Sequence, residues 1–404
     1  MTVKSGNAFG IYVHWPFCAA KCPYCDFNSH VRTAIDEDGW VDAILAELDW
    51  VAANQGASAR AGATKEKSAR AGATKEKSRP VVETIFFGGG TPSLMQGRST
   101  GRILDKIASL WPMAKDAEIT LEANPASADA GRFADYRAAG INRVSLGVQA
   151  LNDADLKRLG RLHDVAEARR ALKLAMEKFD RVSLDLIYAR PDQSDAAWRS
   201  ELKEALSFGT DHLSLYQLTI EPETPYALLH RNGQLQIPGE DLAAELFETT
   251  QELTEAAGLP AYEISNHARP GQESRHNLIY WRYGDYAGVG PGAHGRLSLK
   301  GARTATAAIR LPERWRDTVA KTGHGFAEMT PVSDEEAARE HLLMNLRLAE
   351  GLDLAGYARR WNTRLDAAKV AALVAQGFLS HTGDRLTATP AGRLLLNRVI
   401  EELV

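Results

Sequence analysis

Cysteine is scarce in this chain of 404 residues: only Cys18, Cys22 and Cys25 are present. An odd set packed so tightly is a poor disulfide framework, and in a reducing compartment it reads as metal binding. Long apolar runs are also missing. None approaches the roughly 18 residues of a membrane span, and Met1 to Gly10 lacks an apolar signal core. A cytoplasmic protein is therefore expected. Nor does either sign of charge dominate. The net charge of −4 and the isoelectric point near 6.3 give no overall pull toward nucleic acid or anionic lipid. What remains is ordinary globular material, 44% hydrophobic and 25% charged, enough for a packed core. The length suggests one large domain and one small one.

Apolar and β-branched runs predict strands at Phe9–His14, Val82–Phe87, Glu118–Glu122, Arg143–Gly147, Arg181–Ile187 and His212–Thr219. Helical spacing appears between them, at Glu37–Ala53, Gly101–Leu110, Ala128–Ala139, Ala166–Lys178 and Asp195–Ser207. Strands alternating with helices make parallel βα units, and such units gather functional residues at the strands' C-terminal ends. Here those ends carry the cysteine loop, Gly88-Gly89-Gly90, Glu122, Gln149, Asp185 and Gln217. The expected fold is α/β, a partial (β/α)6 barrel over residues 1–235. Residues 236–332 would extend it, with a helix at Gly239–Ala257, a strand-like Ala261–Ser265 and an ordered loop at His276–Gly295. Residues 333–404 would form a mainly α, winged-helix-like domain. Its best recognition helix, Asp366–Gln376, has one Lys and no Arg, which argues against DNA binding. The decapeptide SARAGATKEK occurs twice in succession, at Ser58–Lys67 and Ser68–Lys77. It reads as a duplicated solvated insertion, since two copies are too few for a solenoid.

Three thiolates on one short loop can each hold one iron of a cubane, leaving a fourth iron open to a chelating ligand. The competing reading is a zinc site in which His14 or His30 completes a Cys3His set. The Cys18-x3-Cys22-x2-Cys25 spacing after a strand, with Tyr24 before the last cysteine, resembles the radical SAM superfamily. GGGTP one βα unit later strengthens the likeness. Within that superfamily YVHWPFC, CPYCDF, GGGTPS, LEANP, RVSLGVQ, LGRLHD, DLIYARP and HLSLYQLTIEP resemble the oxygen-independent coproporphyrinogen III oxidase family, as do HNLIYW and GVGPGAHG.

The resemblance implies a [4Fe–4S] cluster on Cys18, Cys22 and Cys25. It implies an S-adenosylmethionine site formed by Tyr12, Tyr24, Gly89, Gly90, Thr91, Glu122, Gln149, Arg161 and Asp185. The residue types suit that task. Arg161 can pair with a carboxylate in fork geometry, and Asp185 or Glu122 can accept from ribose hydroxyls or an ammonium group. Two departures separate this chain from the oxidase pattern. Phe27 stands where the oxidase has a further cysteine, and only 17 residues precede Cys18, where the oxidase has a long segment. CPYCDFNSH and HNLIYW resemble instead the heme chaperone branch. That branch implies heme as a third cofactor, a heme-accepting respiratory protein as partner, and room for a homodimer or peripheral membrane contact, with no nucleic acid. His276 is then the expected heme contact, with Tyr280 and Trp281 packing on the macrocycle, and His294 is the second candidate.

Overall fold

The computed structural model describes residues 8–56, 79–299 and 301–404. The duplicated decapeptide lies outside them. Six strands follow the predicted alternation with helices: β1 (Phe9–Trp15), β2 (Val82–Gly89), β3 (Met113–Ala123), β4 (Arg143–Gln149), β5 (Arg181–Tyr188) and β6 (His212–Gln217). The intervening helices also fall where their spacing placed them. Asp195–Ser207 has identical bounds, and Val165–Lys178 begins at a capping box between Asp164 and Glu167.

The sheet continues past these six. It adds β7 (Asn266–Ala268), β8 (Asp285–Val289), β9 (His294–Leu299), β10 (Ala302–Ala308) and β11 (Phe326–Pro331). Strand order is β11-β10-β9-β8-β1-β2-β3-β4-β5-β6-β7. From β8 to β6 the neighbours run parallel; β7 and the β9–β11 meander attach antiparallel at the two edges. The outward face is apolar: Ile11, Val13, Ile85, Phe87, Leu121, Val144 and Leu146 are fully buried in the main core beneath the helices.

Two expectations fail locally. His276–Gly295 is not a loop. Ser274 caps a helix at Arg275–Trp281, and β8 follows, paired with β1. Glycines and aromatics masked the helical spacing of His276, Leu278 and Ile279, all buried. Ala261–Ser265 is not a strand either; it makes one bridge, Ala261 to His267. The Glu263 carboxylate accepts the amides of Ile264 at 2.7 Å and Ser265 at 3.2 Å, so those donors never reach a ladder.

The C-terminal part has its own core, including Leu342, Leu346, Tyr357, Leu373, Leu386, Val399 and Ile400. Helix Ala367–Ala375 leads into β13 (Leu379–Thr382) and β14 (Arg385–Ala388), with β12 (Leu352–Asp353) on the far side of β14. This is the expected winged-helix-like arrangement.

Candidate functional site

At the C-terminal ends of the parallel strands lies a cavity of about 600 Å³. Its walls include Cys18, Cys22, Cys25, Tyr24, Gly89, Gly90, Thr91, Glu122, Gln149, Arg161 and Asp185. Strand register explains the convergence. Glu122 pairs with Ser145, and Gly147 with Asp185, so these side chains share the inner face at neighbouring levels.

The three cysteines are free and half-buried, on a loop tightened by the Cys25 amide donating to the Cys22 carbonyl. Thr91 Oγ1 donates to Cys18 Sγ at 3.3 Å, and Arg161 reaches Cys22 Sγ at 3.7 Å. Burial raises the Cys18 and Cys25 thiols, a cost that bound cationic iron would offset. Among the described residues, no group of three His, Cys, Asp or Glu side chains is placed to hold a single metal ion. A cubane gives each thiolate its own iron, so its ligands need not converge on one point. The two zinc candidates are engaged elsewhere. His14 has Tyr12 Oη at 3.0 Å on one nitrogen and the Asn28 carbonyl at 2.9 Å on the other, and His30 Nε2 sits 3.2 Å from Asn28 Oδ1.

The glycine turn does more packing than expected. Gly89 has φ +113°, and an added Cβ would sit 2.8 Å from the His14 ring; at Gly90 it would sit 2.7 Å from the Phe17 carbonyl. Both residues therefore press the turn against β1 and its continuation, which brings Thr91 to Cys18.

Polar groups in the cavity have unmet bonding capacity. Gln149 holds an unusual φ of +74°, and its buried Oε1 has no partner among the described residues. Arg161 donates to the Gly147 carbonyl at 2.7 Å, yet its Nε has no partner among the described residues. Asp185 is fixed by Ser145 at 2.9 Å and Ser183 at 3.0 Å. Burial, and secondarily the charge of Asp185, pushes Glu122 up to about 8, although the Gly89 amide donates to it at 3.2 Å. A cation placed between the two carboxylates would relieve that cost.

Not every expected residue joins this cavity. Tyr12 is outside the lining, with its hydroxyl on His14. His276 is also absent from it. The residue is 1% exposed, Nδ1 sits 2.7 Å from Thr84 Oγ1, and Nε2 is bonded to Tyr280 Oη. Its ring stacks on Phe86, and burial lowers it to about 3. In this arrangement both ring nitrogens are already bonded. Trp281 also sits apart from the cavity, its carbonyl accepting from Asn345. His294, by contrast, is exposed.

Two residues escaped the sequence reading. Asn28 donates to the carbonyls of Pro291 and Arg310, both at 2.8 Å, tying the cysteine loop to the β8–β9 turn. Glu118 accepts from Arg181 and from the amides of Arg275 at 3.2 Å and His276 at 3.0 Å. Alternation of Glu118, Thr120 and Glu122 along one strand was the available signal, since period two puts all three inside the barrel.

Comparison with known proteins gives the family. Residues 12–205 match the radical SAM superfamily model, and residues 332–395 match the HemN C-terminal domain. The chain is 37% identical over 400 residues to the heme chaperone HemW of Escherichia coli, covering 97% of each chain. This chain belongs to the HemW family. The heme chaperone HemW of Mycobacterium tuberculosis is 36% identical over 403 residues, spanning 99% of this chain and 95% of that one. Among solved structures, the coproporphyrinogen III oxidase HemN of E. coli matches with a TM-score of 0.78 at 20% identity. That match covers 99% of this chain and 90% of the other, and at this identity it speaks for the shared fold.

Proposed function

We propose that this chain is a heme chaperone that receives heme and passes it to respiratory enzymes. Cys18, Cys22 and Cys25 would hold a [4Fe–4S] cluster, and the adjoining cavity would hold S-adenosylmethionine. When bound, the cluster supplies one open iron for amino and carboxylate groups, together with a transferable electron. The residues of this chain supply the rest. Arg161 would pair with the ligand carboxylate, its guanidinium already set in place by the Gly147 carbonyl. Asp185 and Glu122 would receive the ammonium and ribose groups, and Gln149 Oε1 would accept a hydroxyl.

The observation that carries the reading is the joining of three cysteines with these unsatisfied polar groups in one cavity, in a chain of HemW kinship. The enzymatic alternative is decarboxylation of coproporphyrinogen III. Anaerobic reconstitution with S-adenosylmethionine and reductant separates the two. The expected result is one heme retained per chain and transferred to an apo heme protein, with no protoporphyrinogen by chromatography. Protoporphyrinogen without stable heme binding would make the chain an oxidase.

A further inference from the structure

We propose that the heme iron is taken by His294, on the sheet surface beside the barrel mouth, in a site separate from the S-adenosylmethionine cavity. The assignment rests on the heme chaperone reading and adds the place. His14, His163, His212, His267, His276 and His341 are all buried, and each has a ring nitrogen engaged. His30, His230 and His324 each have a bonded ring nitrogen as well, and the exposed His381 belongs to the small sheet of the C-terminal part. The side chain of His294 is exposed and makes no hydrogen bond or ion pair among the described residues. It is not part of the lining of the cluster cavity.

Its neighbours suit a flat ligand. His294 opens β9 and pairs with Ala307 of β10. On the other side β8 brings Gly288 so close that an added Cβ would lie 2.0 Å from the His294 carbonyl. One level down, Ala305 pairs with Arg296. Side chains point to the same face in each such pair, so the imidazole rises between positions with little or no side chain. A macrocycle lies across the iron–nitrogen bond, so it needs clearance beside its axial histidine. On the two neighbouring strands Gly288 and Ala307 give it, while Arg296 and Tyr286 bound the site one level down the same face.

Charge and an apolar contact complete the site. Arg310 and Arg296 are the cations that act on His294, and Glu328 is the opposing anion. Arg296 is committed to Glu340 at 3.0 Å, whereas the exposed Arg310 makes no ion pair among the described residues and can take a propionate. Leu311, 50% exposed, follows it directly. Asn28 holds the Arg310 carbonyl and the Pro291 carbonyl together, and a Cβ at Gly292 would come within 2.4 Å of its amide nitrogen. The cysteine loop is thus wedged against both parts of the proposed site.

The test uses the full chain with its cluster reconstituted, titrated anaerobically with ferric heme and followed by the Soret band and electron paramagnetic resonance. His294→Ala should shift the band, weaken binding by about tenfold or more, and recover the wild-type spectrum when imidazole is added. Iron content and S-adenosylmethionine binding should not change. Arg310→Ala should weaken binding with an unchanged spectrum, and heme dimethyl ester should bind wild type and this variant equally. His276→Gln, checked for folding by circular dichroism, should keep the wild-type spectrum. A His294→Ala protein with wild-type Soret band and affinity would overturn the assignment but leave the chaperone reading intact. A wild-type chain that binds no heme would overturn both.

Discussion

The two ends of one barrel interior have opposite chemistry. At the base, Glu118 takes Arg181 and two backbone amides, while His276 is bonded at both nitrogens to Thr84 and Tyr280. At the mouth, Gln149 and Arg161 have buried polar atoms without partners, and Glu122 pays for burial with a raised proton affinity. Buried polar groups are normally satisfied, so the closed network at the base serves architecture, and orphaned atoms on residues lining a cavity fit a ligand site. His276 and His294 repeat the contrast. Both were candidates by motif, but one is sealed inside and the other stands free.

The largest effect should come from the mouth. Replacing Cys22 with Ala should abolish cluster retention, read as iron and sulfide per chain after anaerobic reconstitution. Retained iron at the wild-type ratio would remove Cys22 as a ligand. At the base the loss should appear as stability instead. Glu118→Ala takes the carboxylate from Arg181, which keeps its Gln272 and Glu273 acceptors, and leaves two amides without theirs. Denaturant unfolding should show a loss of about 3 kcal/mol, as for other broken buried pairs. A loss below about 1 kcal/mol would mean the base network is replaceable by water.

Glu122 gives a smaller, pH-dependent effect. Its folded-state value of about 8 lies above the ordinary 4.5, so the ligand-free folded chain keeps a proton that the unfolded chain has released. Stability should then fall as pH rises from about 4.5 to about 8. Glu122→Gln should flatten that fall in calorimetric melting curves, leaving a residual slope from Glu47, which burial raises to about 7. Identical slopes for both proteins would show that Glu122 is ionised in the folded state. The smallest effect belongs to the solvated shell. Arg98→Ala breaks an exposed pair with Asp38 and should cost under about 0.5 kcal/mol.

Much of the mouth was legible because its signals are local. The cysteine spacing lies within one loop, and apolar strands carry Glu122 and Gln149 near their ends and Asp185 within, which the register then assembles. The base was not legible, because its meaning is pairwise. Nothing in Glu118 alone foretells that it will bond residues more than 150 positions away. His276 shows the same limit. The motif marked the residue, but only the helix that seats it against Phe86 and Thr84 reveals that its nitrogens are taken. The β8–β11 extension escaped because Gly and Ala carry little strand signal. Those small residues are the ones that leave His294 clear.

The most direct test of the contrast is S-adenosylmethionine binding to the reconstituted chain by equilibrium dialysis. The account predicts that Arg161→Ala and Asp185→Asn each weaken binding by about tenfold or more, the scale of a lost charged hydrogen bond. It predicts that folded His276→Gln binds like wild type. Full binding by both mouth variants, or loss of binding in a folded His276→Gln protein, would contradict it.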